Sequence, residues 1–362
     1  MNSEQKDEAK RLLLNMLSIQ SYSGREGELA SYIRDWMESH GYSNVAIDEV
    51  GNVSGEFGTG KECIILIGHM DTVPSLLPVK DEGTKLFGRG ACDAKGPLAA
   101  MLMAPYVSDN PSNFRIKVLA CVGEESDGRG IKHAIAKGIK AQYAIFGEPS
   151  GHSSIVIGYR GRIQASVEFL TNSFHASSPW MGKSALDEAI EFIQRVRQLD
   201  TSNSNNEKFN SSSLCVTKLQ SGDTSNVAPS KASLTIDIRI PPGADTKKII
   251  NFLEETARTI NEESRVSIDD MIYGVEVNQN AELVRALRRA IYKSSGSVAK
   301  CIRKTGSGDM NHLLYGTSIQ AVTYGPGDSR LSHTKNEYID LLDYYYSIAT
   351  LSILPDELSK VI

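Results

Sequence analysis

The sequence predicts an α/β fold with a smaller α+β domain inserted into it. Three features carry that expectation. Apolar, strand-like runs alternate with helical segments through the first part of the chain. Near residue 155 the pattern turns β-rich and then reads β-α-β-β-α-β through about residue 276. Beyond that point the alternation of helix and strand resumes. A chain of 362 residues is also long for one core. The expected boundaries are 1–156 with 277–362 for a discontinuous larger domain, and 157–276 for the insertion.

The elements follow in order. KDEAKRLLLNML spaces its apolar residues as a helix does. ECIILIGH reads as a buried strand, KGPLAAMLMAPYV as a mostly apolar helix and RIKVLACVGE as a second strand. GIKHAIAKG is a short helix and QYAIFGE a further strand. Strands without polar alternation belong in a sheet covered on both faces. The insertion opens with the alternating IVIGYRGRIQASVEFL. KSALDEAIEFIQRVRQL follows as an amphipathic helix with Leu186, Ile190, Ile193 and Val196 on one face. The polar TSNSNNEKFNSSS reads as an exposed loop. SLCVTKLQ and KASLTIDIRI are strands, TKKIINFLEETARTI a helix and RVSIDDMI a closing strand. The larger domain resumes with ELVRALRRAIYKSS, VAKCIRK, SIQAVTYG and a last helix, DYYYSIATLSIL, whose Tyr344–Tyr346 run is expected to pack on the sheet.

Composition narrows the function classes. A net charge of −5 argues against nucleic acid as the main partner, since phosphate binding needs a basic face. No apolar run approaches the roughly 20 residues that span a bilayer. The charged start, MNSEQKDEAKR, lacks the apolar stretch of a signal peptide. Five cysteines without a CxxC pair fit a reducing compartment. The expected location is cytoplasmic, with neither nucleic acid nor membrane as partner.

Acidic and imidazole residues recur at the ends of the apolar runs. His69 and Asp71 lie in GHMDTVP, Asp93 in GRGACDAKGP, Glu124 and Glu125 in CVGEESDGRG, Glu148 in FGEPS and His333 in LSHTKNEY. Ligands of open α/β sheets bind past the carboxyl ends of the strands. His69, the Glu124–Glu125 pair and Glu148 all stand there, and parallel strands would make them converge. His333 follows SIQAVTYG after the loop GPGDSRLS and can reach the same edge. Imidazole and carboxylate without thiolate suit Zn²⁺, Co²⁺ or Mn²⁺. Two histidines and three carboxylates suit two cations sharing one carboxylate, about 3.5–4 Å apart. Asp71, two residues past His69, suits a carboxylate that orients the imidazole. One of Glu124 and Glu125 can bind metal while the other serves as general base. Singly, each motif has a plainer explanation: a polar loop, a charge pair at a helix start, or a strand end. Their recurrence at successive strand ends does not.

The motifs GHMDTVP, GRGACDAKGPLAA, GEES, GEPS, FHAS, SNVAP, DIRIP, TGSGDMN and SHTKNEY run through nearly the whole chain. In them the sequence resembles the metallohydrolase family of acetylornithine deacetylase, succinyl-diaminopimelate desuccinylase, aminoacylase and glutamate carboxypeptidase. The resemblance implies a zinc-peptidase-like catalytic domain with an inserted ferredoxin-like lid that mediates homodimerisation. It implies that Asp93 bridges two divalent ions, Zn²⁺ or else Co²⁺. His69 and Glu148 would complete one site, and Glu125 and His333 the other. Glu124 would be the catalytic carboxylate and Asp71 the partner of His69. His175, in SFHASS, resembles a lid histidine that reaches the other subunit's site and stabilises the oxyanion. Asn226 and Arg239 resemble lid residues that bind substrate. Ser307 and Gly308 resemble a loop that holds its α-carboxylate. The implied reaction is amide hydrolysis.

DAKGPLAAM, IGYRGRI and KTGSGDMN resemble the lysine/ornithine branch of the family. That branch releases lysine or ornithine from an acidic amino-group carrier protein, which holds the amino acid on the γ-carboxyl of its terminal glutamate. Arg160 and Arg162 are then candidate contacts for an acidic tail, or else solvated charges. The alternatives are deacylation of free N-acetylornithine, N-acetyllysine or succinyl-diaminopimelate, a dipeptidase or glutamate carboxypeptidase, and a non-catalytic binding protein on the same scaffold. Other signals are set aside. GEFGTGK, Gly55–Lys61, nearly matches a phosphate-binding loop, but Glu62 replaces the needed Ser/Thr and no helix follows. It reads as a hairpin turn. His133, His152 and His312 read as ordinary histidines, and Cys92 as a packed thiol.

Overall fold

Runs without polar alternation need cover on both faces, and four of them form the centre of the larger sheet. The computed structural model describes residues 1–108, 114–200 and 207–361. The chain divides into two units: Met1–Gly158 with Val277–Arg303 and Gly308–Ile362, and Tyr159–Glu276 with Lys304–Ser307.

In the first unit, Phe114–Cys121, Glu62–His69, Tyr143–Phe146 and Gln320–Thr323 are neighbouring parallel strands in that order. Register pairs His69 with Cys121, and both Ile67 and Thr323 with Phe146, so the carboxyl ends stand level. Antiparallel strands flank them: Val53–Phe57 and then Ser43–Ile47 on one side, Ser154–Tyr159 on the other. Val53–Phe57 and Glu62–His69 border opposite sides of Phe114–Cys121. The Gly55–Lys61 region is therefore a crossover and not the expected hairpin turn.

Helix Lys95–Tyr106 is buried from Lys95 through Pro105. It packs on Glu62–His69, on helix Ser3–Ser18 and on helix Leu341–Leu358. The approach is close: a Cβ at Gly68 would meet Leu98 at 3.2 Å. Leu98, Met101 and Leu102 are fully enclosed, each worth about 1.5–3 kcal/mol of burial. Lys95 is enclosed too. Its Nζ donates to Met16 O at 3.1 Å and Ile19 O at 2.6 Å, satisfying carbonyls at the end of Ser3–Ser18. Burial draws its pKa down to about 8. The helix that carries Tyr344 packs chiefly on helices Lys95–Tyr106 and Glu282–Ser295, and the Tyr344 hydroxyl donates to Ala9 O on the first helix.

In the second unit, Ser213–Ser221, Lys231–Ile240, Gly161–Leu170 and Arg265–Ile272 form an antiparallel sheet in that order. Helices Ala185–Val196 and Thr246–Ile260 pack against it and each other. Chain order is β-α-β-β-α-β. Ile163, Ala165, Val167 and Phe169 alternate inward, as do Leu234, Ile236 and Ile238. Ser184 and Asp187 make a capping box on the first helix. The buried face of that helix is Ala185, Ala189, Phe192 and Val196, while Ile190 is exposed. Of the expected stripe, Val196 is buried and Ile193 packs against this core, whereas Ile190 faces outward. The polar stretch expected as a loop falls partly at 201–206, outside the described residues; beyond it, Phe209 is buried.

No helix among the described residues is long and apolar enough to cross a membrane.

Candidate metal centre

The level strand ends bring the acidic and imidazole residues of the first unit together. His69 closes its strand, Glu124 and Glu125 follow Phe114–Cys121, and Glu148 follows Tyr143–Phe146. Asp93 arrives at the start of helix Lys95–Tyr106, which lies over the His69 strand. His333 comes from the loop beyond Gln320–Thr323.

Asp93 is central. Its Oδ1 lies 3.3 Å from His69 Nε2, and its Oδ2 lies 3.5 Å from His333 Nε2. His69 Nε2 is also 3.5 Å from Glu148 Oε1, and His333 Nε2 is 2.7 Å from Glu125 Oε1. Ligand atoms fall within 4.8 Å of one another in the sets His69–Asp93–Glu148, His69–Glu124–Glu125 and Asp93–Glu125–His333. Donors on one tetrahedral cation, each at about 2.0–2.2 Å, stand about 3.3–3.6 Å apart. The spacings of His69 to Asp93 and Glu148, and of His333 to Asp93, fit that geometry, while His333 and Glu125 stand at hydrogen-bond distance. The donors are oxygen and imidazole nitrogen, as Zn²⁺ and Co²⁺ accept. A carboxylate cluster this enclosed also calls for positive charge.

Asp71 is fully buried beside His69. His69 Nδ1 meets the backbone carbonyl of Asp71 at 2.9 Å, nearer than its carboxylate at 3.5 Å. The carboxylate chiefly receives the loop beyond: Glu124 N donates to Oδ1 at 3.0 Å, Glu125 N to Oδ2 at 3.0 Å and Ser23 Oγ to Oδ2 at 2.7 Å. Burial pushes its pKa up, but these bonds and His69 outweigh burial and hold it at about 2. Glu124 has the opposite balance. Burial, reinforced by Asp309, Glu125 and Asp93, raises its proton affinity well above a normal carboxyl, against the pull of His69.

The sequence reading missed three participants. Ser23 anchors Asp71. Glu337 is buried and accepts from Cys92 N and Asp93 N, both at 3.0 Å, while Arg89 Nη1 pairs with it at 2.6 Å. It thereby fixes the backbone that presents Asp93. Asp309, at the start of helix Asp309–Gly316, is buried near Glu124; burial lifts its pKa to about 7. Glu337 and Asp309 both lie inside motifs quoted above, but nothing in their spacing gave them a task. Gly308 also adjoins Glu124: a Cβ there would come within 3.6 Å of Glu124 Oε1.

The other candidates belong to the second unit. Phe174–His175 pairs with Val227–Ala228, and Ala176 N donates to Asn226 O at 2.9 Å, so His175 and Asn226 share one exposed ribbon. Ser177 N donates to His175 Nδ1 at 3.1 Å, which leaves the proton of a neutral ring on Nε2. Arg239 and Ser307 also meet: Nη1 donates to Ser307 Oγ at 3.4 Å, while Nε donates to Asp237 Oδ1 at 2.7 Å. Arg160 is buried and Arg162 partly exposed, and both make polar contacts within the second unit. Arg160 donates to the carbonyls of Thr305, Lys208 and Ser211. Arg162 pairs with Asp237 and Asp270.

Residues 65–355 match the family described as peptidase family M20/M25/M40. The chain belongs to that family. It is accordingly a hydrolase. A relative from Sulfurisphaera tokodaii, named LysW-lysine/LysW-ornithine hydrolase, is 34% identical over 341 residues, covering 94% of this chain and 93% of its own. Among solved structures, aminopeptidase PepT from Bacillus cereus superposes with a TM-score of 0.86 at 19% identity, over 98% of this chain and 99% of its own. The Bacillus subtilis YXEP protein, titled a dinuclear metal binding peptidase of the same family, gives a TM-score of 0.79 at 13% identity over 100% of both chains. At these identities the structures speak for the fold. This member has three groups of side chains that could hold a metal ion.

Proposed function

We propose that this peptidase-family chain is a two-cation amide hydrolase. Its substrate is lysine or ornithine carried on the γ-carboxyl of a terminal glutamate of an amino-group carrier protein, in lysine and arginine biosynthesis. The observation that carries the chemistry is the division of Asp93, with one oxygen toward His69 and the other toward His333. His69, Asp93 and Glu148 would hold one ion, and Asp93, Glu125 and His333 the other. Zn²⁺ is the best match to these ligands and Co²⁺ the next. When bound, such ions supply Lewis acidity and bring a water's pKa to about 7.

The chain's own residues do the rest. Glu124 accepts the proton of the attacking water and passes it to the departing amine. Asp71 holds the amides of Glu124 and Glu125 so that one carboxylate faces the ions and the other the reaction. His175 of a second protomer donates from Nε2 to the oxyanion of the tetrahedral intermediate. Asn226 on the same ribbon, with Arg239, Ser307 and Gly308, receives the carboxylates of the substrate. The second unit is thus a lid and dimerisation domain, and the working form a homodimer. Five free cysteines suit a reducing, cytoplasmic setting. The lysine/ornithine assignment draws on the name of the 34%-identical relative.

A substrate panel tests the proposal. Metal-loaded enzyme is given a γ-glutamyl-lysine carrier tail, N-acetylornithine, N-acetyllysine, succinyl-diaminopimelate and simple dipeptides. Release from the carrier tail should exceed the others at least tenfold in kcat/KM. Turnover of the succinyl substrate or the dipeptides alone would remove the carrier assignment. No metal-activated hydrolysis at all would favour a binding role.

A further inference from the structure

His152, set aside as an ordinary histidine, forms a pair with Asp343 that the chemistry above does not use. Asp343 lies in the first turn of helix Leu341–Leu358. Its Oδ1 accepts from His152 N at 2.7 Å and meets His152 Nδ1 at 2.5 Å. Its Oδ2 accepts from Gly327 N at 2.5 Å. One carboxylate therefore fastens two loops. The first carries Glu148, and the second runs on to His333.

Other bonds stitch the same loops. Ser150 N donates to Gly325 O at 3.2 Å, Gly325 N to Ser150 Oγ at 3.1 Å and Tyr324 Oη to His152 O at 2.9 Å. The second loop also presses on the residue before Asp93. A Cβ at Gly327, where φ is +102°, would lie 2.9 Å from Cys92 Sγ. The Cys92 thiol donates to Asp328 O at 3.1 Å. A continuous run of contacts thus joins Asp343 to the segments bearing Glu148, Asp93 and His333.

The two ligand sets that share Asp93 are unequally supported. His69 ends a central strand and is 2% exposed, whereas His333 is 50% exposed on a loop. His333 also has a φ of 63°, a conformation that surrounding structure must hold for a non-glycine residue. Beside it Arg89 Nη2 donates to Thr334 O at 3.1 Å, and the rest of its loop completes the placement. Asp343 is not needed as the helix cap, because Asp340 already accepts from Leu342 N and Asp343 N.

We propose that Asp343, together with His152, is a positioning residue that sets the His333-bearing half of the metal centre against the Glu148-bearing half. Both its oxygens take short, charge-assisted bonds from separate loops, which fixes their spacing. Partners bonded directly to metal ligands change metal affinity about 10–100-fold when removed, and Asp343 acts on the ligands one step further back, through His152 and the backbone at Gly327. The inference rests on the two-cation reading.

The test is the number of ions bound, and the dissociation constant of each, in chelator-buffered Zn²⁺. It compares the full-length wild type with Asp343→Ala, Asp343→Asn and His152→Ala, with unfolding curves run alongside. The wild type should bind two ions. Asp343→Ala should keep the first within about threefold and bind the second about 10-fold more weakly, the lower end of that range. Asp343→Asn should fall between, because its single oxygen can serve one loop. His152→Ala, a partly exposed position, should weaken the second ion in the same direction with its fold retained. Two ions at wild-type affinities in both alanine variants would overturn the inference. So would equal weakening of both ions in a folded His152→Ala. A wild type that binds fewer than two ions would overturn the two-cation reading and this inference with it.

Discussion

Replacing Asp71 by asparagine changes one atom and tests how the proton carrier is held. The carboxylate receives Glu124 N, Glu125 N and Ser23 Oγ at 3.0, 3.0 and 2.7 Å. An asparagine keeps one oxygen. Its amide nitrogen must then face a donor. The Ser23 hydroxyl can rotate and accept, but a backbone N–H cannot. One buried N–H is left unmet, at a cost of about 1–3 kcal/mol. The surviving bond also loses its charge assistance. If that cost falls on the orientation of Glu124 and Glu125 in the transition state, kcat drops about 10–100-fold, since about 1.4 kcal/mol is a factor of ten. The assay is steady-state hydrolysis by Asp71→Asn and wild type, with bound metal measured in both. Metal affinity should weaken as well, because Asp71 holds the amide of Glu125 and meets His69, so kcat is compared at saturating metal. A variant within twofold of wild type in kcat, equally stable to denaturant, would refute the clasp.

Further outcomes follow from the same geometry. Glu124→Ala should keep its metal and lose about 10²–10⁴ in kcat; near-normal turnover would take the proton-carrying role from Glu124. His175→Ala should lose about 10²–10³ in kcat, and mixing it with Glu124→Ala protomers should restore activity through a hybrid dimer, which sedimentation and assay would show together. A fully active monomer would contradict the shared site. Glu357 is buried against Arg289, Lys293 and Lys360. Burial alone would raise its pKa, but these cations outweigh it and hold the group at about 2. A carboxylate depressed in the folded state stabilises above its unfolded value of about 4.3 and loses that contribution as pH falls toward the folded value. Glu357→Gln should therefore cost about 1–2 kcal/mol at pH 7, given three half-exposed partners. The gap to wild type in urea titrations should close between about pH 4.5 and 2.

Much of this was legible because the parallel strands carry unbroken apolar runs. The position of His69, Glu124, Glu125 and Glu148 just past those runs marked the binding edge before any coordinates. Asp93 could not be placed that way, since it precedes a helix, and only the resemblance suggested a bridge. The helix Gly27–Ser39 was passed over although Leu29, Ile33, Trp36 and Met37 are buried at helical spacing. The short strands Ser43–Ile47 and Val53–Phe57 were missed because neither is an apolar run. The residues behind the centre were hidden for a different reason. Glu337, Ser23, Asp309 and Asp343 act on groups between 16 and 245 positions away, and sequence spacing does not record such pairings. Arg160 shows the reverse error: a charge that looked available is spent on backbone carbonyls.

The central claim is that one carboxylate, Asp93, joins two metal-binding sets, and metal content of Asp93→Ala tests it most directly. Wild type and variant are equilibrated in the same buffered Zn²⁺ and analysed for bound ion, with circular dichroism to confirm the fold. Two ions per wild-type chain and fewer than one per variant chain are expected, because both sets lose a ligand at once. A folded Asp93→Ala that still holds two ions at wild-type affinity would contradict the shared centre.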